Sequence, residues 1–162
     1  MRRRLAALAS FSLIAMASNA HAAPNDPLGD LIKSVISGAL PGSPVFNVKA
    51  TLYHAGAKGV GALDSLGCRV VPMRTIAVDK NIIPRRTVIF IKETVGLKMP
   101  DGGSHDGYWY ASDVGGAIKG QKVDLFTGSG KGSMSPFMDR RLNLAKLTAH
   151  TVGTFKGCPP KD

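Results

Sequence analysis

The sequence has few acidic residues, few cysteines and few aromatic residues, and each shortage narrows the classes of protein that fit. Eleven Asp and Glu residues face 21 Lys and Arg residues, giving a formal net charge of +10. Aromatic residues make up only 6% of the chain, and no aromatic-rich basic motif of the RNA-binding type occurs. No internal repeat or low-complexity tract is visible, so a repeat array is not expected.

The two cysteines, Cys68 and Cys158, are too few and too isolated for a metal site. Neither has a histidine at the spacing of a zinc site or of a nucleophile–base pair. The acidic residues also lack the spacing of a calcium-binding loop, so no metal and no cofactor is expected. In an exported protein such a pair indicates one disulfide, which in the loop-entropy model contributes up to about 4–5 kcal/mol.

The N-terminal segment has the pattern of a secretory signal peptide. Three arginines at 2–4 precede an apolar stretch over 5–16, and Ala20-His21-Ala22 supplies a cleavage motif. The apolar stretch is too short to span a bilayer. No cysteine lies near the cleavage motif, so lipid attachment is not expected. We therefore expect a signal peptide over 1–22 and no stable membrane anchor after cleavage; an uncleaved anchor is the alternative.

The predicted mature chain, residues 23–162, is basic and of single-domain size. It has 162 − 22 = 140 residues, enough for one hydrophobic core. A basic exported protein is attracted to polyanions, and export argues against nucleic acid as the partner. A solvated basic surface without a specific partner is the alternative. The sequence gives no indication of the oligomeric state.

Apolar patterning predicts one helix followed by a small β-domain. Residues 23–44 are interpreted as a short helix, Asp30 to Gly38, and a linker, although an ordered linker alone fits the pattern equally well. Over 45–162, short strand-like runs alternate with Gly- and Pro-containing turns, which favours a small β-barrel without fixing its type. The strand-like runs are 45–53, 69–71, 75–78, 87–92, 108–112, 122–126 and 146–155.

The most informative segment places two aspartates on either side of a glycine-rich turn. It runs from Asp113 to Gly120 (DVGGAIKG) and is followed by Asp124, eleven residues after the first aspartate. Each aspartate adjoins a strand candidate, and the glycines permit a tight turn between them. Such strands can direct both carboxylates into one groove. Paired acids in a groove are typical of glycan chemistry, in which one acid protonates a glycosidic oxygen.

This segment resembles the core of the 3D domain, named for three aspartates and shared by membrane-bound lytic transglycosylases and stationary-phase survival proteins. The third aspartate would be Asp79, within the segment 75–87, where Arg86 replaces the glycine usual before Thr87. The similarity covers roughly residues 48–128. It implies a six-stranded double-psi β-barrel and a site in which the three aspartates line one groove.

The resemblance also implies an activity and roles for individual residues. The activity is that of a peptidoglycan lytic transglycosylase, in the periplasm or cell wall, which cleaves the MurNAc–GlcNAc bond and forms a 1,6-anhydro product. Asp124 would be the general acid and then the base, with Asp113 and Asp79 beside it. The substrate-binding residues would be Thr51, Tyr53, Gly115, Gly116 and Lys119.

Simpler interpretations of these residues stay open at this stage. Asp124 could face solvent on an edge strand, and Asp113 and Asp79 could cap turns. Lys119 could be a surface residue, and Trp109 could pack in the core instead of against a sugar. Two other functions also fit: a non-catalytic glycan-binding module of the expansin-like barrel type, and a basic exported protein that binds another protein.

Overall fold

Six β-strands close into a barrel in the computed structural model, which describes residues 43–161. The order around the barrel is β1-β5-β2-β4-β3-β6, and β6 pairs with β1 to close it. The predicted mainly β fold with a six-stranded barrel is confirmed, and the strand order is consistent with a small double-psi barrel. The strands are β1 Val45–Ala55, β2 Thr75–Val78, β3 Thr87–Ile91, β4 Tyr108–Asp113, β5 Lys122–Ser129 and β6 Leu147–Thr154.

Helical structure is sparse in the described residues. It consists of one short α-helix, α1 (Ser135–Asp139), and two 3₁₀ turns, Lys92–Thr94 and Lys131–Met134. No helix within residues 43–161 has the length and apolar character needed to cross a membrane. The predicted signal peptide and the predicted helix at Asp30 to Gly38 lie outside the described residues. The expected strand at 69–71 is wrong, because only an isolated bridge between Leu63 and Arg69 forms there.

The topology is unchanged when the first three strands are exchanged with the last three. Parallel pairs β1–β5 and β2–β4 flank the antiparallel pair β5–β2, and the remaining pairs are antiparallel. Exchanging β1 with β4, β2 with β5 and β3 with β6 reproduces each pairing. The barrel therefore has a pseudo-two-fold arrangement of strands, although the sequence contains no visible internal repeat.

The barrel interior is filled by the buried faces of all six strands. Trp109, Ile89, Leu125 and Ile76 are fully buried within one continuous core, and burial of an aliphatic side chain stabilises by roughly 1.5–3 kcal/mol. Trp109 Nε1 donates to Thr94 Oγ1 at 3.0 Å, which satisfies its polar atom. This tryptophan belongs to the core and is not available to stack on a sugar ring.

Arg86 occupies a backbone position that explains the glycine usual there in the 3D domain. Its φ is +70°, a left-handed value that costs little for glycine and more for residues with a Cβ. Arg86 N–H donates to Ala111 O at 2.8 Å, and its Nη1 donates to Gly157 O at 2.8 Å. These contacts offset the strain and attach the C-terminal tail to the barrel.

The predicted Cys68–Cys158 disulfide is confirmed, with the two Cα atoms 5.5 Å apart. It joins the C-terminal tail to the long connection between β1 and β2. Part of that connection, residues 56–71, forms one side of the site described below, and we call it the wall loop. The disulfide therefore restrains a segment of the site and not only the chain terminus.

Candidate active site

The strand register brings Asp113 and Asp124 to opposite sides of β2. Ala77 of β2 is paired with Asp113 of β4 on one side and with Asp124 of β5 on the other. Alanine is the smallest side chain that a strand position can carry besides glycine, so the space between the two carboxyl groups stays open. Both aspartates line one cleft of about 270 Å³, together with Tyr53 and Ala77.

Two hydroxyl groups of β1 hold the two carboxyl groups separately. Thr51 Oγ1 donates to Asp124 Oδ1 at 2.7 Å, and Tyr53 OH donates to Asp113 Oδ2 at 3.2 Å. Thr51 and Tyr53 are two positions apart, so their side chains leave the same face of the strand. The parallel pairing of β1 with β5 sets this register, because it places Thr51 directly opposite Asp124.

Asp113 is surrounded by hydrogen-bond donors. Its Oδ1 accepts from the backbone N–H of Ser65 at 3.0 Å and of Val114 at 2.9 Å, in addition to the Tyr53 contact on Oδ2. An ionised carboxylate accepts and does not donate, so these three contacts suit its charged form. These contacts therefore fix the position of the Asp113 carboxylate in the cleft.

Asp124 lies in a different environment from Asp113. Burial raises the pKa of the Asp124 carboxyl above its ordinary value, and the charge of Asp113 raises it further. The hydrogen bond from Thr51 and the charge of Lys122 act in the opposite direction without cancelling the rise. A half-buried carboxyl with a raised pKa retains its proton to higher pH, as a general acid requires.

Tyr53 is a donor that stays protonated. Burial raises the pKa of the Tyr53 hydroxyl well above its ordinary value, and the nearby charge of Asp113 adds to the rise. Its ring packs against Phe126 with centroids 5.0 Å apart, which fixes the direction of the hydroxyl. The family resemblance implied that Tyr53 and Thr51 bind substrate, and the structure shows them contacting the two acids directly.

Asp79 lies in an adjoining cavity of about 180 Å³ and not in the cleft of the other two aspartates. Its Oδ2 accepts from Gly120 N–H at 2.9 Å and its Oδ1 from Asn81 N–H at 3.1 Å. The Gly120 hydrogen bond in particular lowers the pKa of Asp79 below its ordinary value. Asp79 therefore fastens the end of the glycine turn from the adjoining cavity.

The glycine turn forms the partition between the two cavities. Gly115 and Ile118 line both of them, and Ile118 N–H donates to Gly115 O at 3.0 Å. A Cβ on Gly115 would lie 2.8 Å from Ile118 Cγ1, whereas one on Gly116 would meet nothing within 4 Å. Gly116 and Lys119 line the Asp79 cavity, so two of the predicted binding residues face that side.

Sequence reasoning did not identify the wall loop as part of the site. Lys58, Val60 and Leu63 of this loop line the cleft opposite the glycine turn. The loop contacts Asp113 through the N–H of Ser65, which donates to Asp113 Oδ1 at 3.0 Å. Arg85 Nη1 donates to Ser65 O at 3.0 Å. The only signal in the sequence was the predicted disulfide at Cys68, which ties this loop in place.

Asp64 gives the wall loop its internal structure. The carboxylate is buried, and Oδ1 accepts from the N–H groups of Leu66 at 3.0 Å and Cys68 at 2.9 Å. Its Oδ2 has no hydrogen-bond partner among the described residues. The described residues contain no group of three or more His, Cys, Asp or Glu side chains placed to hold a metal ion.

The barrel and its carboxylate pair define a small, acid-bearing β-barrel domain. Residues 74–135 of this chain match the family model of the 3D domain, and the resemblance predicted from the three aspartates is thereby confirmed. The matched segment contains Asp79, Asp113 and Asp124 and leaves Thr51 and Tyr53 outside it. A comparison with curated proteins gave no significant match.

Several solved structures are similar to the barrel. One is the lytic transglycosylase LtgG of Burkholderia pseudomallei, with 29% identity over 57% of this chain and 26% of that chain, at a TM-score of 0.37. Another is MltA from Escherichia coli, with 24% identity over 60% and 29% of the two chains and a TM-score of 0.41. E. coli MltA with bound chitohexaose gives 23% identity over 59% and 28%, at 0.40. The chain thus spans less than a third of the length of each.

Proposed function

We propose that this chain is a peptidoglycan lytic transglycosylase that uses Asp124 as its single general acid and base. The observation that carries the proposal is the pair of carboxyl groups in one cleft, held by separate hydroxyls of β1 in unlike surroundings. The 3D-domain match over residues 74–135 supports the proposal. The similarity to lytic transglycosylases suggests the reaction class.

The proposed reaction begins with proton transfer from Asp124 to the glycosidic oxygen between MurNAc and GlcNAc. The bond from that oxygen to C1 of MurNAc breaks, and GlcNAc leaves with a free 4-hydroxyl. Positive charge develops on the MurNAc ring, which the fixed negative charge of Asp113 stabilises. The 6-hydroxyl of the same MurNAc then attacks C1, and its proton returns to Asp124. The acid is restored and no water is consumed.

The contacts of Asp113 favour this single-acid scheme over hydrolysis. A hydrolase needs a second carboxylate free to activate water or to attack the sugar. Three donors already engage Asp113, which makes it a poor base and a poor nucleophile. Its fixed charge also raises the pKa of Asp124, so one carboxylate prepares the other for its role.

The proposed substrate lies outside the cytoplasm, in the periplasm or the cell wall. This location agrees with the predicted signal peptide over residues 1–22, and we propose that this segment is removed on export. N-terminal sequencing of the exported protein should then begin at Ala23. A mature protein that retains Met1 would contradict the proposed export route.

Replacement of Asp124 by asparagine tests the proposed acid. Asp124→Asn keeps the size and polarity of the side chain but cannot donate a proton as a carboxylic acid does, so cleavage of purified peptidoglycan should fall by about 10²–10⁴-fold. Asp139→Asn, at an exposed acid of α1 that lines none of the described cavities, is the matched control and should retain the wild-type rate.

Sacculus binding separates the proposed enzyme from a binding module. Asp124→Asn should still bind sacculi, since binding depends on the cleft and the basic surface, and the binding should weaken with salt. If wild type binds sacculi but releases no product, the non-catalytic glycan-binding module becomes the better account. If it binds neither sacculi nor glycan strands, the basic exported protein that binds another protein remains.

A further inference from the structure

A second concave surface lies beside the cleft, beyond Val70. Two adjoining cavities of about 340 and 500 Å³ share Pro72, Met99 and Pro100. Val70 lines both the smaller of these cavities and the cleft of the two acids, so the surfaces meet there. We call the two cavities together the basic groove, because Arg69, Lys98 and Lys161 line them.

The three cations of the basic groove carry unbalanced positive charge. Each is exposed, and the only ion pair within residues 43–161 joins Arg74 to Asp106. One acid, Asp101, also lines the groove, and its Oδ1 accepts from Gly103 N–H at 2.8 Å, so the formal charge of the lining is 3 − 1 = +2. An occupant with carboxylate groups would therefore meet complementary charge.

The rest of the lining suits a peptide better than a sugar. Among the described residues that line the groove there is no aromatic side chain on which a sugar ring could stack. Val70 and Pro72 are half-buried and Pro100 is exposed, and these three offer apolar contacts for small side chains. The exposed hydroxyl-bearing residues Ser129 and Ser135 are available to hydrogen-bond to peptide amides.

We propose that the basic groove binds the short acidic peptide branch of a wall glycan whose sugars lie in the cleft. This inference rests on the proposed function, because the branch is attached to the same MurNAc unit whose bond to GlcNAc is cut. The branch carries carboxylates and small apolar side chains, which match the cations and the accessible apolar residues of the groove. Because Val70 lines both the cleft and the basic groove, one substrate molecule can occupy the two surfaces together.

A binding measurement on two kinds of strand tests the inference. One kind carries its peptide branches and the other has been stripped of them by an amidase, and both are bound to Asp124→Asn so that neither is cut. Adding Arg69→Gln, Lys98→Gln and Lys161→Gln should weaken binding to the branched strands by roughly tenfold. Binding to the stripped strands should stay within about twofold of the parent's, since the branch that these cations would contact is absent.

The matched control removes the same charge elsewhere. Lys92→Gln, Lys146→Gln and Lys156→Gln are exposed and line none of the described cavities, so this triple variant should bind both kinds of strand like the parent. Equal losses in the two triple variants would overturn the inference in favour of bulk charge. An equal loss of the groove variant on both kinds of strand would overturn it in favour of a sugar site.

Wild-type cleavage of stripped strands separates this inference from the proposed function. If wild type cleaves them while the groove variant binds both kinds of strand like the parent, the groove inference alone fails. If wild type cleaves neither kind of strand, but the groove variant binds branched strands more weakly and stripped strands like the parent, the proposed peptide site stands. The proposed transglycosylase activity is then contradicted. Thermal unfolding of both triple variants shows whether they fold. If a triple variant does not fold, its three substitutions are tested one at a time.

Discussion

At the scale of single residues, the site consists of two aspartates that differ only in their surroundings. Asp113 is engaged by three donors and Asp124 by one, and burial raises the pKa of Asp124. In enzymes, a pair of carboxyl groups is assigned to acid and base roles when their environments move their pKa values apart. The assignment of Asp124 as the acid therefore rests on contacts as well as on resemblance.

Replacement of Thr51 by valine should shift the pH dependence of cleavage. The hydrogen bond from Thr51 lowers the pKa of Asp124, so Thr51→Val, which keeps the shape but removes the donor, should raise that pKa further. A general acid is active while protonated, so the alkaline limb of the kcat/KM profile should move to higher pH. The loss at the pH optimum should be smaller than the about 10²–10⁴-fold expected without the acid.

Thr154→Val provides the control for this pH profile. Thr154 is an exposed threonine at the end of β6 and lines neither the cleft nor the basic groove, so its loss should leave both limbs in place. A Thr51→Val profile with an unmoved alkaline limb would show that Asp124 is not the group that titrates there. A shift to lower pH would contradict the direction of the Thr51 effect.

At the scale of elements, the glycine turn between β4 and β5 separates the two cavities. Its shape depends on the Gly115–Ile118 approach at one end and on the Gly120 hydrogen bond to Asp79 at the other. The third aspartate of the 3D motif thus contributes through the backbone of the turn. This role accounts for an aspartate that is part of the motif and yet lies outside the cleft.

An alanine at Gly115 should destabilise the fold, whereas one at Gly116 should not. The added Cβ at Gly115 would lie 2.8 Å from Cγ1 of the buried Ile118, so the turn or this side chain must shift. Overpacking of this kind costs typically about 1–3 kcal/mol in the free energy of unfolding, and the displaced turn should also slow cleavage. Gly116→Ala meets open space and should stay within about 0.5 kcal/mol of wild type.

Urea denaturation of the two glycine variants and the wild type measures these differences. Equal stability of Gly115→Ala and Gly116→Ala would mean that the Ile118 contact is not a constraint on the turn. If Gly116→Ala were less stable than Gly115→Ala, the tightly packed position of the turn would be Gly116 and not Gly115.

The sequence predicted the elements that local patterns encode and missed those that depend on tertiary contacts. The DVGGAIKG turn and its flanking strands were predictable because glycines and alternating apolar residues mark them directly. The placement of Asp79 was not, since its partner Gly120 is 41 residues away and the contact forms only when β2 lies beside β5. The wall loop was missed because polar Gly-rich segments look alike until a disulfide and Asp113 fix one of them.

At the scale of the whole molecule, a symmetric arrangement of strands carries an asymmetric site. The two halves of the barrel are exchangeable in their pairing, but the acids lie on β4 and β5 and the hydroxyl donors on β1. The residues of the candidate site thus come from both halves and meet only in the closed barrel. Loss of barrel closure would separate the acids from their donors, so activity and folding should be lost together.

The products released from purified peptidoglycan test the central claim most directly. Mass spectrometry of wild-type digests should show muropeptides with 1,6-anhydro ends, lighter by one water than the products of hydrolysis, because the 6-hydroxyl of MurNAc replaces water as the attacking group. Asp124→Asn should yield none of them, and Asp139→Asn should yield the wild-type pattern. Reducing ends in place of anhydro ends, or anhydro products from Asp124→Asn at the wild-type rate, would contradict the account.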